Sequence, residues 1–471
     1  MPLDAAGQFV LSRAYSPVDI RGAVGTEVQP EDGRRLGRAV ACWLERAGLE
    51  KRVVVGGDHR LSTPALKAAL LDGLLGAGCH VLDLGTVPTP AFFLACKHYY
   101  ASGVQVTASH NPPGDNGFKV QLGPTPNTEA EFRELWALVA QGASGSGSGS
   151  LEPADFLNIY LARLRASAPR LDGLRVVVDA GNGVCGPFAA SLFRGAGAQV
   201  DALFSEPDGH FPNRSPDSSR AASLIPLGRR VVETGAALGI AYDGDGDRAG
   251  FTDELGRPLG SDAAFVLFIR DVLRRQPGVV IHDIKCSDIV PREVRALGGT
   301  PIMEKTGHAY IKRSFVLREA LLAGELTGHF AFREWGTDDG MYASLVMARI
   351  VRALDRPLSA AVDAIPRYHI TPDIRIRMDT AEIEDVLETL RSRLAGEGEI
   401  ITLDGVRAQF ADGWGLARAS ITAPELTLRF EGYTENGLRQ TVQRFVRACP
   451  ALAPHLAETP GERADHVRDG H

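Results

Sequence analysis

The chain is short of lysine. Only seven of its 51 basic residues are lysine (positions 51, 67, 97, 119, 285, 305 and 312), and the rest are arginine. Lysine can release its proton near neutral pH when its surroundings depress its pKa, whereas arginine cannot. The lysines that persist in so arginine-rich a chain therefore mark places to watch. No block of basic residues is present and the net charge is −7, so the basic stripe of a nucleic-acid-binding surface is missing. No apolar run approaches the roughly 18 residues needed to cross a bilayer. The opening MPLDAAGQFV has neither the charged head nor the apolar core of a secretion signal. The expectation is a soluble, cytoplasmic protein with neither membrane nor nucleic acid as a partner. Six cysteines (Cys42, Cys79, Cys96, Cys185, Cys286 and Cys449) lie far apart without a CxxC pair. That excludes a disulfide framework or zinc site in favour of reduced structural thiols.

What is present is the balance of a globular protein, 44% hydrophobic and 23% charged over 471 residues. That length is too great for one core and argues for about three or four domains. Three segments share one grammar, a β-branched run ending in a polar Gly/Asp/Asn-rich loop. They begin at Val53-Val54-Val55, Val176-Val177-Val178 and Val279-Val280-Ile281. Unbroken apolar strands are buried on both faces, as in parallel or mixed sheets covered by helices. Helical spacing follows each over 63–77, 187–196 and 289–297, so the fold class is α/β, with three similar domains. The run SGSGSGS at 144–150 reads as a flexible linker, with a loop inside one domain as the other reading. From about residue 369 the pattern changes. Ile374-Arg375-Ile376-Arg377-Met378 and Leu426 to Phe430 alternate, each followed by a helical stretch, which predicts a smaller α+β domain with a half-exposed antiparallel sheet. The expected division is 1–143, 151–255, 256–368 and 369–452 around a central cleft, with a loose tail at 453–471.

Four loops carry chemistry. Val104 to Pro113 delivers Ser109 into a turn stiffened by two prolines, with His110 and Lys119 as local candidates for its base. The GxSxG elbow of a hydrolase is absent. Asp243-Gly244-Asp245-Gly246-Asp247-Arg248 interleaves carboxylates with glycine, a hard-oxygen cage for a divalent cation beside a guanidinium suited to phosphate. An EF-hand reading fails because Arg248 stands where that loop needs glycine, and because the flanks read as strands. Gly324 to Phe330 sets Glu325 and a hydroxyl between glycines, able to meet sugar hydroxyls. Arg418 to Thr422 puts an arginine and two hydroxyls in a turn, a phosphate clamp in outline.

In order, these loops resemble those of the α-D-phosphohexomutase superfamily, and closely its bacterial phosphomannomutase/phosphoglucomutase branch. The likeness covers about residues 16 to 445. Lesser matches are Asp19 to Gly22, Asp179 to Gly183, Asp283 to Ser287 and Lys305 to His308. The resemblance implies that Ser109 holds the transferable phosphate and, with Asp243, Asp245 and Asp247, ligates Mg²⁺. It implies Lys119 as general acid/base, with His110 beside the reacting phosphate. Arg248, Lys285 and His308 would contact the transferring phosphate or the sugar, and Glu325, Thr327 and His329 would read the sugar. Arg21, Arg418, Ser420 and Thr422 would hold the non-reacting phosphate. Three departures stand out. Val18 occupies the place of the family's tyrosine and Ile421 that of its asparagine, while the sugar loop has Leu326 and Thr327 where Met and Ser are usual.

The implied activity is isomerisation of a hexose 1-phosphate to its 6-phosphate, with mannose or glucose the expected sugar and an amino sugar the further possibility. It would run through phosphoserine and a 1,6-bisphosphate that also acts as activator. The partner is a small phosphosugar, and a monomer and a dimer are both compatible with the sequence. The rival readings are a phosphatase using the same phosphoserine and an inactive sugar-phosphate-binding module.

Overall fold

The computed structural model describes residues 14–16, 18–123, 125–143, 145–420 and 425–456. The three apolar runs become inner strands of three sheets that share one four-strand scheme. In the first sheet, strand Arg52–Gly57 lies parallel to His80–Thr86 on one side and to Ser102–Val106 on the other. The latter pairs antiparallel with Asp115–Gln121. In the second sheet, Arg175–Asp179 takes the central place, with Gln199–Leu203 and Leu238–Tyr242 parallel beside it and Ala249–Thr252 antiparallel at the end. The third repeats the scheme with Val279–Asp283, Thr300–Glu304, Leu322–Gly324 and Phe330–Phe332. In each case the hairpin between the third and fourth core strands opens at the same end of the sheet. Those hairpins contain Ser109, then Asp243 to Arg248, then Glu325 to His329. Ligands of open α/β sheets bind at the carboxyl ends of the parallel strands, so one topological position is used three times.

The first sheet is extended by Asp19–Ala23 at one edge and by Ser150–Pro153 at the other. The second addition corrects the linker reading. The Gly/Ser run does not hang free: the Gly147 and Gly149 amides donate to the carbonyls of Gly76 and Leu75, and Ser150 continues to that of Cys79. A Cβ on Gly145 would meet Ala77 Cβ at 2.7 Å, and one on Gly149 would meet Cys79 O at 2.3 Å. Here glycine permits close backbone approach, not flexibility, and the first sheet runs to Pro153, past the expected boundary.

One apolar core runs through the second and third sheets and takes in helix Thr89–Tyr99 of the first. A second core fills the rest of the first domain. The C-terminal domain has its own. Its strand Glu425–Gly432 pairs antiparallel with Gly413–Ala419 on one side, and with His369–Ile370 and Ile374–Arg377 on the other. Val406–Phe410 and Glu399–Ile401 complete the sheet. The expected alternation is visible: Ile376 is buried against helices Thr380–Leu394 and Glu435–Ala448, and Arg375 and Arg377 are exposed on the other face. The domain does not stop at Leu452, because helix Ala453–Leu456 tucks Leu456 into the same core; the remainder of the tail lies outside the described residues. Among the described residues no helix is long and apolar enough to cross a membrane. All six cysteines are free thiols.

Candidate active site

Ser109 sits in the first of the three hairpins with φ +52°, a left-handed conformation that a serine adopts only when its surroundings enforce it. The enforcement comes from Arg60, whose guanidinium lies inside the turn. Its Nη1 donates to the carbonyls of Pro112 (2.6 Å) and Asp115 (2.9 Å), and its Nη2 to those of Ser109 (2.8 Å) and Asn111 (2.7 Å). Asp58 pairs with Arg60 at 3.2 Å and accepts from the Thr63 and Thr107 hydroxyls. The Thr107 hydroxyl accepts from the Ser109 amide. Every carbonyl of this tight turn that points inward therefore has a donor, as burial requires.

The second hairpin closes on the first. The Ser109 hydroxyl donates to Asp243 Oδ2 at 2.6 Å. Gly244 packs so tightly on the serine backbone that a Cβ there would lie 2.5 Å from Ser109 O. The ligand atoms of Asp243, Asp245 and Asp247 all lie within 4.8 Å of one another, fully buried. Burial first, and then the charges of Asp245 and Asp247, push the Asp243 carboxyl far above its ordinary value. Asp245 Oδ1 is buried without a hydrogen-bond partner. A cluster of hard oxygens with strained protonation and an orphaned acceptor fits a divalent cation, and the flanking strands dispose of the EF-hand reading.

Lys119 Nζ spans Asp245 Oδ2 (2.8 Å) and Asp247 Oδ2 (2.5 Å). Burial would depress this ammonium, but the two carboxylates outweigh it and hold the pKa above the usual lysine value. The depressed lysine anticipated from composition is Lys312, buried against Phe93 and 2.8 Å from Asp338, where burial outweighs the pairing. His110 lies beside the serine, Nδ1 3.5 Å from Ser109 Oγ. Burial, reinforced by Arg248 and Arg21, keeps its ring neutral.

The third hairpin is joined to the second by backbone: the Ala249 amide donates to Gly328 O, and Arg248 bridges His329. His329 Nε2 is 3.2 Å from Asp247 Oδ1 and from Arg248 Nε. Burial and Arg248 favour its neutral form, but Asp247 and Glu325 outweigh them and raise it to about 9. Glu325 Oε1 and His308 Nε2 are buried without hydrogen-bond partners. They line the same cleft of about 920 Å³, together with Arg21, His110, Arg248, Lys285, Thr327 and His329. Across it stand Arg418 and Ser420 of the C-terminal domain. Arg418 Nε donates to Asp404 while its Nη2 is buried with no partner. Lys285 pairs with Asp373 at 2.6 Å, and Arg21 with Asp19 at 2.7 Å. Ten of the proposed site residues line this cleft, whereas Ser109, Lys119, Asp243, Asp245 and Asp247 are buried and not among its lining residues, tied to it through His110, Arg248 and His329. Thr422, with Ile421, lies outside the described residues. The cleft has the size of a small-molecule site.

Family models for phosphoglucomutase/phosphomannomutase match in chain order. Those for alpha/beta/alpha domains I, II and III cover residues 16–143, 155–256 and 260–368, and that for the C-terminal domain covers 374–448. The chain belongs to the phosphoglucomutase/phosphomannomutase family. Among curated relatives, the phosphomannomutase/phosphoglucomutase of Pseudomonas aeruginosa is 40% identical over 449 residues, covering 94% of this chain and 96% of that one. The phosphoglucomutase of Neisseria gonorrhoeae is 38% identical over 451 residues, covering 94% and 97%. A crystal structure of a family protein from Burkholderia thailandensis superimposes with a TM-score of 0.86 at 35% identity, covering 96% of this chain and all of that one. The protein is therefore an enzyme of the phosphohexomutase class, an isomerase.

Sequence reasoning missed the supports of this family site. Besides Arg60 and Asp58, the Thr89 hydroxyl donates to Asp245 Oδ2 at 2.6 Å, and the Arg214 guanidinium braces the start of the aspartate loop between Asp179 and Tyr242 O. A weak signal for Asp58 existed: each of the three apolar runs is followed within three residues by an aspartate, Asp58, Asp179 or Asp283.

Proposed function

We infer that this phosphohexomutase interconverts the 1- and 6-phosphates of mannose and/or glucose through phosphorylated Ser109. The phosphoryl group passes from Ser109 Oγ to O6 of a hexose 1-phosphate. The Oγ–P bond breaks, an O6–P bond forms, and the O6 proton leaves to a neighbouring base. His110, neutral and 3.5 Å from Ser109 Oγ, would take that proton, and Lys119, an ammonium held on Asp245 and Asp247, would serve as the acid of the pair. The resulting 1,6-bisphosphate turns over in the cleft. Ser109 Oγ then takes the phosphate from O1, which recovers a proton, and hexose 6-phosphate departs. A hexose 1,6-bisphosphate would recharge a serine that had lost its phosphate. Ser109, Asp243, Asp245 and Asp247 would hold Mg²⁺, which when bound supplies positive charge against the phosphoryl oxygens. Arg248 and Lys285 extend that neutralisation, and Glu325, Thr327 and His329 present acceptors and donors to the sugar. The C-terminal domain touches the others through a small apolar patch, Ile284 on Trp414 and Leu416, ringed by Arg407, Asp288 and Tyr433. That limited contact suits a domain that opens for exchange and closes against water.

The single supporting observation is Ser109 Oγ 2.6 Å from the metal-site carboxylate Asp243, in a turn that a buried arginine holds. Intact mass should reveal a fraction one phosphate heavier, and Ser109→Ala should lose both that mass and turnover of mannose, glucose or glucosamine 1-phosphate. Near-normal turnover by Ser109→Ala would overturn the mechanism. Release of inorganic phosphate at the rate of hexose 6-phosphate formation would mark a phosphatase instead.

A further inference from the structure

The alternation of the C-terminal sheet puts a row of donors on its cleft face. Thr427, in strand Glu425–Gly432, is the direct partner of Arg375 on one neighbouring strand and of Arg418 on the other. Directly opposed residues in adjacent strands share a face, so Arg375, Thr427 and Arg418 form one line across three strands. The two arginines stand roughly 10 Å apart at the backbone, and all three residues line the cleft.

Their hydrogen bonding is incomplete in one direction. Arg418 is 6% exposed, its Nε is taken by Asp404, and its Nη2 is buried and unpartnered. Thr427 is 4% exposed. Among the described residues neither its hydroxyl nor the Arg375 guanidinium makes a hydrogen bond or ion pair. The next row is different: Arg377 faces Glu425 at 3.8 Å and is mostly in solvent, so its charge is already answered. Arg375 is the uncommitted cation of this face, because the neighbouring Lys285 and Arg429 both pair with Asp373.

Two guanidiniums flanking a hydroxyl match the oxygens of a phosphomonoester dianion. At the wall of the same cleft Val18 offers the phosphate no hydrogen bond. We propose that Arg375, with Thr427 and the free Nη2 of Arg418, seats the non-reacting phosphate of the sugar. The proposal rests on the mutase reading and adds Arg375 and Thr427 to its phosphate site.

The test compares wild type with Arg375→Gln, Arg375→Lys and Thr427→Val, using Arg391→Gln on the opposite, helical side of the same domain as a control for net charge. Steady-state kinetics with glucose 1-phosphate are paired with equilibrium titration of glucose 6-phosphate. Arg375→Gln should raise KM and the glucose 6-phosphate Kd roughly tenfold, the scale of one charged hydrogen bond. Its kcat should stay within about twofold, because the contact serves ground and transition states alike. Arg375→Lys should recover part of the loss, and Thr427→Val should cost roughly threefold. Arg391→Gln should change nothing, and all variants should melt with wild type. An Arg375→Gln protein with wild-type KM and Kd overturns the proposal, as does a fall in kcat at constant KM, or an equal loss in Arg391→Gln. Absence of mutase turnover in the wild type would defeat the mutase reading instead, and the glucose 6-phosphate titrations would still decide whether Arg375 holds phosphate.

Discussion

Replacing Arg60 by leucine would remove the guanidinium around which the Ser109 turn is built. Four carbonyls would lose their donor, at 2.6 to 2.9 Å in the native turn. A hydrogen bond to a charged group contributes about 1.5–3 kcal/mol, but the four do not add, because carbonyls near the cleft can turn to water. The firmer figure is the cost of breaking a buried ion pair by removing one partner, about 3–5 kcal/mol. Asp58 keeps the Thr63 and Thr107 hydroxyls, so the low end applies, about 3 kcal/mol. Against a usual stability of roughly 5–15 kcal/mol, the protein should still fold. Catalysis should suffer more than folding. Ser109 is held at a positive φ in this turn, and a nucleophile misplaced by about 1 Å loses on the order of 100-fold in rate. Arg60→Leu should therefore show kcat down about 100-fold with KM nearly constant, less phosphate on Ser109 by mass, and a lower midpoint in urea. Arg60→Lys keeps the charge beside Asp58 but cannot reach four carbonyls, so it should recover stability before rate. A kcat for Arg60→Leu within threefold of wild type would refute the claim that this residue positions the nucleophile.

Two further outcomes follow from the carboxylates. Asp245→Asn should weaken Mg²⁺ binding at least about 10-fold by calorimetry and depress turnover, while the melting temperature falls modestly, because the ionised carboxylate is a buried partner of Lys119 and accepts from Thr89; unchanged Mg²⁺ affinity would remove Asp245 from the metal site. Glu431, accepting from Trp414 Nε1 and the Asp288 amide beneath the C-terminal domain, is pushed up from 4.5 to about 7 by burial and secondarily by the charge of Asp288. Between those values the folded chain holds a proton that the unfolded chain has released, so stability falls as pH rises across that window, by up to about 3 kcal/mol. Glu431→Gln should abolish that fall, its melting temperature gaining on wild type from pH 5 to 8; a constant difference across that range would contradict the shift.

Much of the fold was legible because its signals are local. Each apolar run is a strand buried on both faces by helices, and the change to alternation at Ile374 marks a sheet covered on one face only. The Gly/Ser run misled for a physical reason. Composition reports how many conformations a segment can adopt when free, whereas Gly145 and Gly149 are there because Ala77 and Cys79 leave no room for a Cβ. The loops bearing Ser109, the aspartates and Glu325 were legible too, since each concentrates its chemistry within a few consecutive residues. Arg60 was not: it acts on carbonyls 49 to 55 positions away, and a carbonyl carries no side-chain signature. Thr89, 156 positions from Asp245, is equally silent in sequence.

The three-fold repetition of the core explains why the chemical loops were readable at all. In each repeat the parallel strands aim their carboxyl ends into the cleft, and the third strand must reverse to meet an antiparallel fourth. That reversal is a short hairpin beyond the strand ends whose sequence the sheet does not constrain, so it can carry Ser109, the three aspartates or Glu325 into the buried site without disturbing the layers behind it. Packing the repeats side by side then brings the three hairpins together, through Ser109 on Asp243 and Arg248 on His329. The fourth domain follows different rules. Its contribution comes from alternate residues along strands, where Arg375, Thr427 and Arg418 share a face only because the register makes them neighbours. Loop chemistry is contiguous and visible in the chain; face chemistry is spread from Arg375 to Thr427 and emerges only when strand pairing is known. For that reason the sequence pointed to the phosphate turn at Arg418 but left Arg375 as one more arginine in an alternating strand.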